Sequence, residues 1–530
     1  MPKRQLKYFI LAFPLLMTII FAGDAFRSQR GEDSIDVAAL GEHEAVAETA
    51  NCRYGVYAKE PQDVTVVSRV GAGWYMNSQP YEYSTTPSNG ASFGRLIWMY
   101  QNRENGEWLP TWTSHPKLND AFASFIKANP GEIYQVGNEV DRYGQGQMLP
   151  EMYAEAYHKF YTFIKSIDPT AQIANSGLVQ VTPMRMQYLD LVWDAYLKQY
   201  GSTMPVDIWN MHLYPLPEVV VENGELVGSY GGLALGTDPE LGNRKSNGSP
   251  SDCQDPYDNI ACEAEYDNMQ VFADQVLRMR QWMKDHGEQN KPLLLSEFSI
   301  LPAYYPANNQ CWRKDEFGRC FDPARVNAFL NNTFSYLKNA KSQELGYPLD
   351  DYRMIQSWWW FSIYRYPNTT GSSSNLILDD RQNLSLVGTS FRDRVAAEAP
   401  YHNLVIEDVP NIVIGEVSGG TATSPISVSF RNNGNSDIRR PFEVTFYADS
   451  GLTRPIGSAR FAELVRGCTT SVHTATVEWS ELTLGDNPFW AVLDSKDEIA
   501  ENPAGNGDNV GKGMVTVTKG RTMLPIVRSN

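Results

Sequence analysis

Short apolar runs alternate with amphipathic stretches between residues 52 and 400. Eight of these runs have the length and composition of buried strands: residues 54–58, 72–76, 95–100, 132–137, 172–177, 206–213, 292–298 and 354–363. Between them, hydrophobic residues recur every three or four positions, as on one face of a helix. One such helix is predicted to begin at Asp322-Pro323, a capping residue followed by proline at the first helical position.

Eight strands that alternate with helices predict an α/β fold, a (β/α)8 TIM barrel with enlarged loops, over residues 52–400. A doubly wound open sheet is the alternative, but no glycine-rich phosphate fingerprint supports it. The loops 215–263 and 301–322 are unusually long. They follow the sixth and seventh strands, so we expect them on the face where barrel enzymes build their active sites.

The pattern changes after about residue 400 to period-two alternation with frequent turn signals and no helical face. The segments "FRNNGNSD" and "FEVTFYAD" are typical. This sequence pattern predicts an all-β sandwich over residues 404–520.

The first 25 residues have the layout of an export signal. Lys3, Arg4 and Lys7 precede an apolar run over residues 8–22, which small residues follow. We expect residues 1–25 to be a signal peptide or an uncleaved membrane anchor, followed by a polar linker over 26–51. The protein would then be secreted or anchored at the outer cell surface.

The six cysteines agree with an oxidising compartment. Two pairs lie nine residues apart inside the two long loops: Cys253 with Cys262, and Cys311 with Cys320. Local disulfides fit these pairs better than metal binding, because C-x2-C spacing is absent. Cys52 and Cys468 either bridge the two domains or stay free.

Charge and composition narrow the range of partners. A formal net charge of −17 argues against nucleic acid, whose phosphates an acidic protein repels. The aromatic content of 12% supplies flat, amphipathic rings on which sugars can stack.

Two carboxylates stand where barrel strands are predicted to end. "YQVGNEVDR" closes the fourth strand with Glu139, and "KPLLLSEFS" closes the seventh with Glu297. Because the carboxyl ends of all barrel strands meet at one face, we expect the two side chains to straddle a ligand. Glycoside hydrolysis needs such a pair: one acid protonates the leaving oxygen, and one carboxylate attacks or stabilises the anomeric carbon.

The motifs "GNE", "HLY", "SEF" and "WWW", on strands four, six, seven and eight, resemble clan A glycoside hydrolases, which are retaining (β/α)8 enzymes. "GAGWYMN", "RLIWMYQ", "DIWNMHLYP" and "PLLLSEFS" are most similar to the branch that includes endo-β-1,3-glucanases. The resemblance implies an enzyme that cleaves β-glycosidic bonds of a poly- or oligosaccharide by double displacement, without a cofactor, and the N-terminal segment adds export. A non-catalytic glycan-binding or adhesion protein and a transglycosylase using the same carboxylates are the alternatives.

The resemblance also implies roles for individual residues. Glu139 would be the general acid/base, Glu297 the nucleophile, and Asn138 the partner of the sugar 2-hydroxyl. The other implied substrate-binding residues are His212 and Tyr214 on strand six, Trp359 or Trp360 on strand eight, and Trp74 and Trp98 as weaker candidates for the cleft wall. Only one of Trp359 and Trp360 can face the pore, because successive strand residues point to opposite faces.

Electrostatics gives one further expectation for this site. The negative charge of Glu297 should raise the pKa of Glu139 and keep that carboxyl protonated. His212 could instead be a hydrogen-bonded core residue. A metal site formed by the two glutamates and His212 is not predicted, since no H-E-x-x-H spacing is present.

In the C-terminal region, "FRNNGNSD" and "DEIAENPAGNGDN" resemble the CARDB-type Ig-like modules of bacterial cell-adhesion proteins. The resemblance implies an Ig-fold module that serves as a spacer or binds glycans. A Ca²⁺ site at Asp494, Asp497 and Glu498 is the alternative for its acidic turns.

Overall fold

The computed structural model describes residues 50–255, 258–305, 309–415, 422–501 and 507–518. The predicted export segment and nearly all of the predicted linker lie outside these residues. Eight parallel strands form the main sheet: β1 (Asn51–Tyr57), β2 (Ala72–Met76), β3 (Ser92–Glu104), β4 (Ile133–Asn138), β5 (Gln172–Gly177), β6 (Trp209–Leu213), β7 (Leu293–Phe298) and β8 (Ser357–Trp360). Each coincides with one of the eight predicted runs.

The eight strands form a nearly closed parallel barrel. Their order in the sheet is β5-β4-β3-β2-β1-β8-β7-β6, so the remaining seam lies between β5 and β6. A parallel bridge between Ala174 and Ile208 crosses this seam. The Asn175 side chain continues the closure, since it accepts the Asn210 N–H at 2.7 Å and donates to the Asn210 carbonyl at 3.1 Å.

Helices surround the barrel: α1 (Val64–Arg69), α2 (Asp120–Ala128), α3 (Pro150–Ile167), α4 (Pro183–Tyr200), α5 (Met269–Asp285), α6 (Pro323–Asn339) and α7 (Leu386–Ala396). The connection between β2 and β3 has no helix. Asp322 caps α6 as predicted, because its side chain accepts the N–H of Arg325. Among the residues that the structure describes, every helix is too short or too polar to cross a lipid bilayer.

Strand β3 extends beyond the barrel and forms a hairpin that was not predicted. It pairs antiparallel with the strand Glu107–His115. Asn105 and Gly106 connect the two strands with φ of 50° and 87°. Asn-Gly is the typical sequence of such a two-residue turn, which requires positive φ at both positions.

The two long loops have their own short strands and disulfides. The loop after β6 contains Val219–Glu222, Glu225–Gly228, Arg244–Lys245 and Ile260–Ala261, which form one small sheet. The loop after β7 contains the hairpin Tyr304–Tyr305 and Gln310–Cys311. The predicted local disulfides, Cys253–Cys262 and Cys311–Cys320, are present in these loops.

The C-terminal region is all-β. Its strands are β9 (Leu404–Asp408), β10 (Asn411–Gly415), β11 (Ala422–Asn432), β12 (Phe442–Tyr447), β13 (Pro455–Phe461), β14 (His473–Leu482), β15 (Gly485–Val492) and β16 (Val510–Thr518). They form the sheets β9-β11-β14 and β10-β16-β15-β12-β13, which share one hydrophobic core. The Ig-like character and the resemblance to CARDB modules stay predictions. At the acidic turn, Asp494 accepts the N–H groups of Glu498 and Ile499.

The C-terminal region contacts the N-terminal end of the barrel. A disulfide joins Cys52 at the start of β1 to Cys468, so the bridging alternative for these two cysteines is the one found. Arg466 donates to the Gly131 carbonyl at 2.7 Å and to Glu132 at 2.9 Å, just before β4. Because Cys468 also packs in the hydrophobic cluster inside the barrel, this segment covers the end opposite the predicted site.

Candidate active site

Glu139 directly follows β4 at the C-terminal mouth of the barrel. Gly137 and Glu139 have φ of 97° and 45°, which turns the chain sharply at the strand end. A side chain at position 137 would meet Val140 at 2.7 Å, so glycine is required there. The Glu139 N–H donates to the Gly177 carbonyl at the end of β5, at 3.0 Å. This turn holds a buried carboxylate at the barrel mouth.

Glu297 reaches the same place because β7 is irregular. Leu295 pairs with Met211 and Glu297 pairs with His212, so β7 has one more residue than β6 over this step. Such a bulge changes the direction of a side chain. The Glu297 carboxylate is largely buried and accepts a hydrogen bond from the Tyr214 hydroxyl at 3.3 Å.

His212 lies between the two carboxylates. Its Nδ1 is 3.3 Å from an oxygen of Glu139 and 3.9 Å from an oxygen of Glu297. One ligand atom of each of the three side chains lies within 4.8 Å of the other two. A side chain at Gly177 would come within 2.4 Å of His212 Nε2, so a glycine in β5 makes room for the ring.

Asn138 is buried beside Glu139, and its amide oxygen has no hydrogen-bond partner among the described residues. The same holds for His212 Nε2. Buried polar atoms are normally satisfied by protein, water or ligand. These two therefore mark places where a polar ligand or water can bind.

The four predicted tryptophans occupy different environments. Trp74 and Trp359 are buried inside the barrel, where their rings stack at 5.7 Å between centroids. Trp360 faces the opposite way and packs against Phe298, 5.3 Å away, on the helix side. Trp98 is half-buried at the edge of the interior cluster. Trp74, Trp359 and Trp360 are therefore core residues in this structure, and only Trp98 of the four is partly open to a ligand.

Phe361, the residue directly after β8, is an aromatic residue next to the site that was not predicted. Its ring lies 5.0 Å from that of Tyr57 and 6.4 Å from that of Tyr214, between centroids. It follows Trp359 by two positions, so strand alternation places both on the inner face. The two-residue alternation of side chains along the strand, counted from Trp359, is the sequence signal that could have identified Phe361.

The protonation pattern differs from the one expected. Burial raises the pKa of Glu139, but the hydrogen bond from His212 and the positive charges of Arg142 and His212 outweigh it, so the pKa lies below its usual value. Burial also raises the pKa of Glu297, Glu139 adds to this effect, and His212 and Tyr214 do not cancel it. The expectation of a raised pKa at Glu139 is wrong for the free protein.

His212 completes the electrostatics of the site. Burial lowers its pKa, but the nearby charges of Glu297 and Glu139 and the hydrogen bond to Glu139 raise it above the usual value. These three side chains are close enough to surround a small cation. However, Nδ1 of His212 is directed at Glu139, and Arg142 brings a second positive charge to the same carboxylate. This arrangement fits proton transfer better than metal binding.

No protein-family model matches the chain, and the comparison with curated proteins finds no match either. Among solved structures, the chain is similar to a GH128 endo-β-1,3-glucanase from Sorangium cellulosum, with 15% identity, a TM-score of 0.36 and coverage of 65% of this chain and 98% of that chain. It is similar to one from Amycolatopsis mediterranei in complex with laminaritriose, with 13% identity, a TM-score of 0.39 and coverage of 65% and 99%. It is also similar to a GH128 curdlan-specific exo-β-1,3-glucanase from Blastomyces gilchristii, with 14% identity, a TM-score of 0.37 and coverage of 64% and 97%. These values are too low to assign the chain to that family.

Proposed function

We propose that the protein is a glycoside hydrolase that cleaves β-glycosidic bonds of a poly- or oligosaccharide with retention of configuration. The observation that carries the proposal is the position of Glu139 and Glu297, with oxygens within 4.8 Å at the barrel mouth. Carboxyl groups about 5–5.5 Å apart favour retention, because inversion needs a wider gap that admits a water molecule.

In the first step, the Glu297 carboxylate attacks the anomeric carbon and forms a glycosyl-enzyme. The bond to the leaving oxygen breaks, and Glu139 gives its proton to that oxygen. In the second step, Glu139 takes a proton from water, the water oxygen bonds to the anomeric carbon, and Glu297 leaves as carboxylate. Asn138 binds the 2-hydroxyl of the sugar, and the Tyr214 hydroxyl holds Glu297 in place.

These roles require Glu139 to be protonated when the sugar is bound, although His212 and Arg142 lower its pKa in the free protein. His212 Nδ1 lies 3.3 Å from an oxygen of Glu139 and 3.9 Å from an oxygen of Glu297, so the charge of either carboxylate acts on the same ring. The ionised Glu297 stabilises the transition state, in which it faces the developing positive charge of the sugar.

The short motifs that resemble the endo-β-1,3-glucanase branch make β-1,3-glucan the first substrate to test. The long loops after β6 and β7 would form walls of the cleft. Three disulfides support folding in an oxidising compartment, which agrees with export through the N-terminal segment. Attachment to a membrane through that segment is part of the same proposal.

Hydrolysis of linkage-defined glucans, mannans and xylans tests the proposal. We expect Glu139→Gln and Glu297→Gln to lower turnover by about 10²–10⁴-fold or more while the protein stays folded. Glu240→Gln is the matched control, because Glu240 lies on the loop after β6 in an exposed ion pair with Arg244. An activated 2-deoxy-2-fluoro glycoside should label Glu297, as peptide mass spectrometry would detect. Wild-type hydrolysis in both site variants would refute the proposal.

A further inference from the structure

Arg142 stands three residues after Glu139 and closes the turn that follows β4. Its Nη1 lies 3.5 Å from Oε2 of Glu139. Its backbone N–H donates to the Glu139 carbonyl at 3.0 Å. The Arg142 side chain is 29% exposed, whereas that of His212 is fully buried. Arg142 is thus the more solvent-exposed of these two cationic neighbours of Glu139.

The loop after β6 holds Arg142 in this position. Nη2 of Arg142 donates to the Tyr230 carbonyl at 2.8 Å. The backbone of Arg142 forms an antiparallel bridge with Ala234, and the Leu235 N–H donates to the Asp141 carbonyl at 3.0 Å. The guanidinium therefore joins a predicted catalytic carboxylate to a wall of the proposed cleft.

We propose that Arg142 is a positioning residue for Glu139: its ion pair keeps the carboxyl ionised in the free protein, and the contact must be released before Glu139 donates a proton. This inference rests on the proposed function. A sugar entering the site is expected to release the contact, because it reaches the exposed guanidinium before the buried His212.

Other charged groups also face Glu139. His212 comes from β6, Glu297 lies beyond it on β7, and Arg185 approaches from α4. Asp141, on the same turn, lies 2.7 Å from Arg185 and offsets its charge. Among the described residues, Glu139 is the carboxylate within ion-pair distance of Arg142, so removal of Arg142 acts mainly on Glu139.

The pH profile of kcat/KM tests this role, because its alkaline limb reports the acid of the free enzyme. A positive charge lowers the affinity of a carboxyl for protons, so its removal should raise that affinity. We expect Arg142→Gln to move the alkaline limb upward by about one pH unit, whereas Arg142→Lys stays near wild type. Arg244→Gln is the matched control, since Arg244 is 37% exposed and pairs with a glutamate of the same loop. The control should not move the limb.

Two measurements keep the result decisive. High salt should move the alkaline limb of the wild-type enzyme in the same direction, because about 1 M salt screens a partly exposed ion pair. This measurement needs no variant, so it applies even if Arg142→Gln fails to fold. NMR titration of the protein with ¹³C-labelled glutamate follows the Glu139 carboxyl without substrate. The Glu139 signal is identified by its absence from the spectrum of Glu139→Gln. An upward shift in Arg142→Gln without any saccharide hydrolysis would support the inference and refute the proposed function. The inference would be overturned if hydrolysis requires both glutamates but neither Arg142→Gln nor high salt moves the alkaline limb or the titration of Glu139.

Discussion

The guanidinium of Arg185 forms an ion pair of 2.7 Å with the Asp141 carboxylate, and neither side chain is exposed to solvent. Arg185 also pairs with Glu218 at 3.0 Å and donates to the Gly231 carbonyl at 2.7 Å. One buried cation thus joins helix α4, the turn that bears Glu139, and the loop after β6.

Replacement of Arg185 by methionine should strongly destabilise the protein. The change leaves Asp141 and Glu218 buried without their cation, which typically costs about 3–5 kcal/mol. Urea unfolding of Arg185→Met measures the change in the free energy of unfolding. Arg244→Met is the control, because its ion pair is exposed and should contribute about 1 kcal/mol or less. Equal losses in the two variants would contradict the prediction.

The disulfide between Cys52 and Cys468 should stabilise the protein more than the short disulfides do. It closes 416 residues, whereas Cys311–Cys320 closes nine. Constraint of the unfolded chain gives about 6 kcal/mol for the long loop and about 3 kcal/mol for the short one. We therefore compare two double variants: one carries Cys52→Ser and Cys468→Ser, and the other carries Cys311→Ser and Cys320→Ser. The first should lower the free energy of unfolding roughly twice as much as the second. The opposite order in urea unfolding would refute this account.

Gly94 should not tolerate alanine, because the Trp359 ring occupies the space of its missing side chain. An added Cβ would lie 2.4 Å from that ring. Overpacking of this kind costs about 1–3 kcal/mol or more, which thermal unfolding of Gly94→Ala would reveal. Gly457→Ala is the control, since its nearest contact would be an ordinary 3.4 Å to Val477. In a Trp359→Leu background, Gly94→Ala should cost less than it costs in wild type, because the smaller side chain leaves room for the added Cβ.

Glu265 should make the protein less stable as the pH rises towards neutrality. Burial raises its pKa from 4.5 to about 7, and Asp258 and Glu316 add to this. The folded state therefore binds the proton more tightly than the unfolded state. This stability is complete below pH 4.5 and is lost as the pH rises through 7.

We expect the free energy of unfolding to fall between about pH 5 and pH 7.5, and the fall to be about 2 kcal/mol smaller in Glu265→Gln. Glutamine stays neutral and can still accept the Cys262 N–H that Glu265 accepts at 3.0 Å. Urea unfolding at both pH values measures the difference. Glu344→Gln is the control, because Lys284 lowers the pKa of Glu344 and places its titration below this range. Identical slopes in wild type and Glu265→Gln would contradict the prediction.

The barrel could be predicted because buried parallel strands are short apolar runs that periodic helices separate. The positions of Glu139 and Glu297 at strand ends then place both at one face. The hairpin at Asn105-Gly106 was missed although its turn signal is local and recognisable. The partner of Cys52, by contrast, lies 416 residues away, and no local pattern contains that pairing.

The lowered pKa of Glu139 could not be predicted from two glutamates alone. It depends on the ring of His212 and on the approach of Arg142, and both follow from tertiary placement. The orientation of Trp359 and Trp360 likewise depends on the register of β8, which three successive tryptophans in the sequence leave open. Once the register is known, a step of two residues from Trp359 leads to Phe361, whose ring lies beside those of Tyr57 and Tyr214.

The covalent link between the first strand of the barrel and residue 468 has a consequence for biosynthesis. Chains grow from the N-terminus at about 5–20 residues per second, so β1 emerges tens of seconds before its sulfur partner exists. Cys52 therefore has no native disulfide partner during this interval. The native bond can form only on a nearly full-length polypeptide, so the first barrel strand is tied to the C-terminal region late in synthesis.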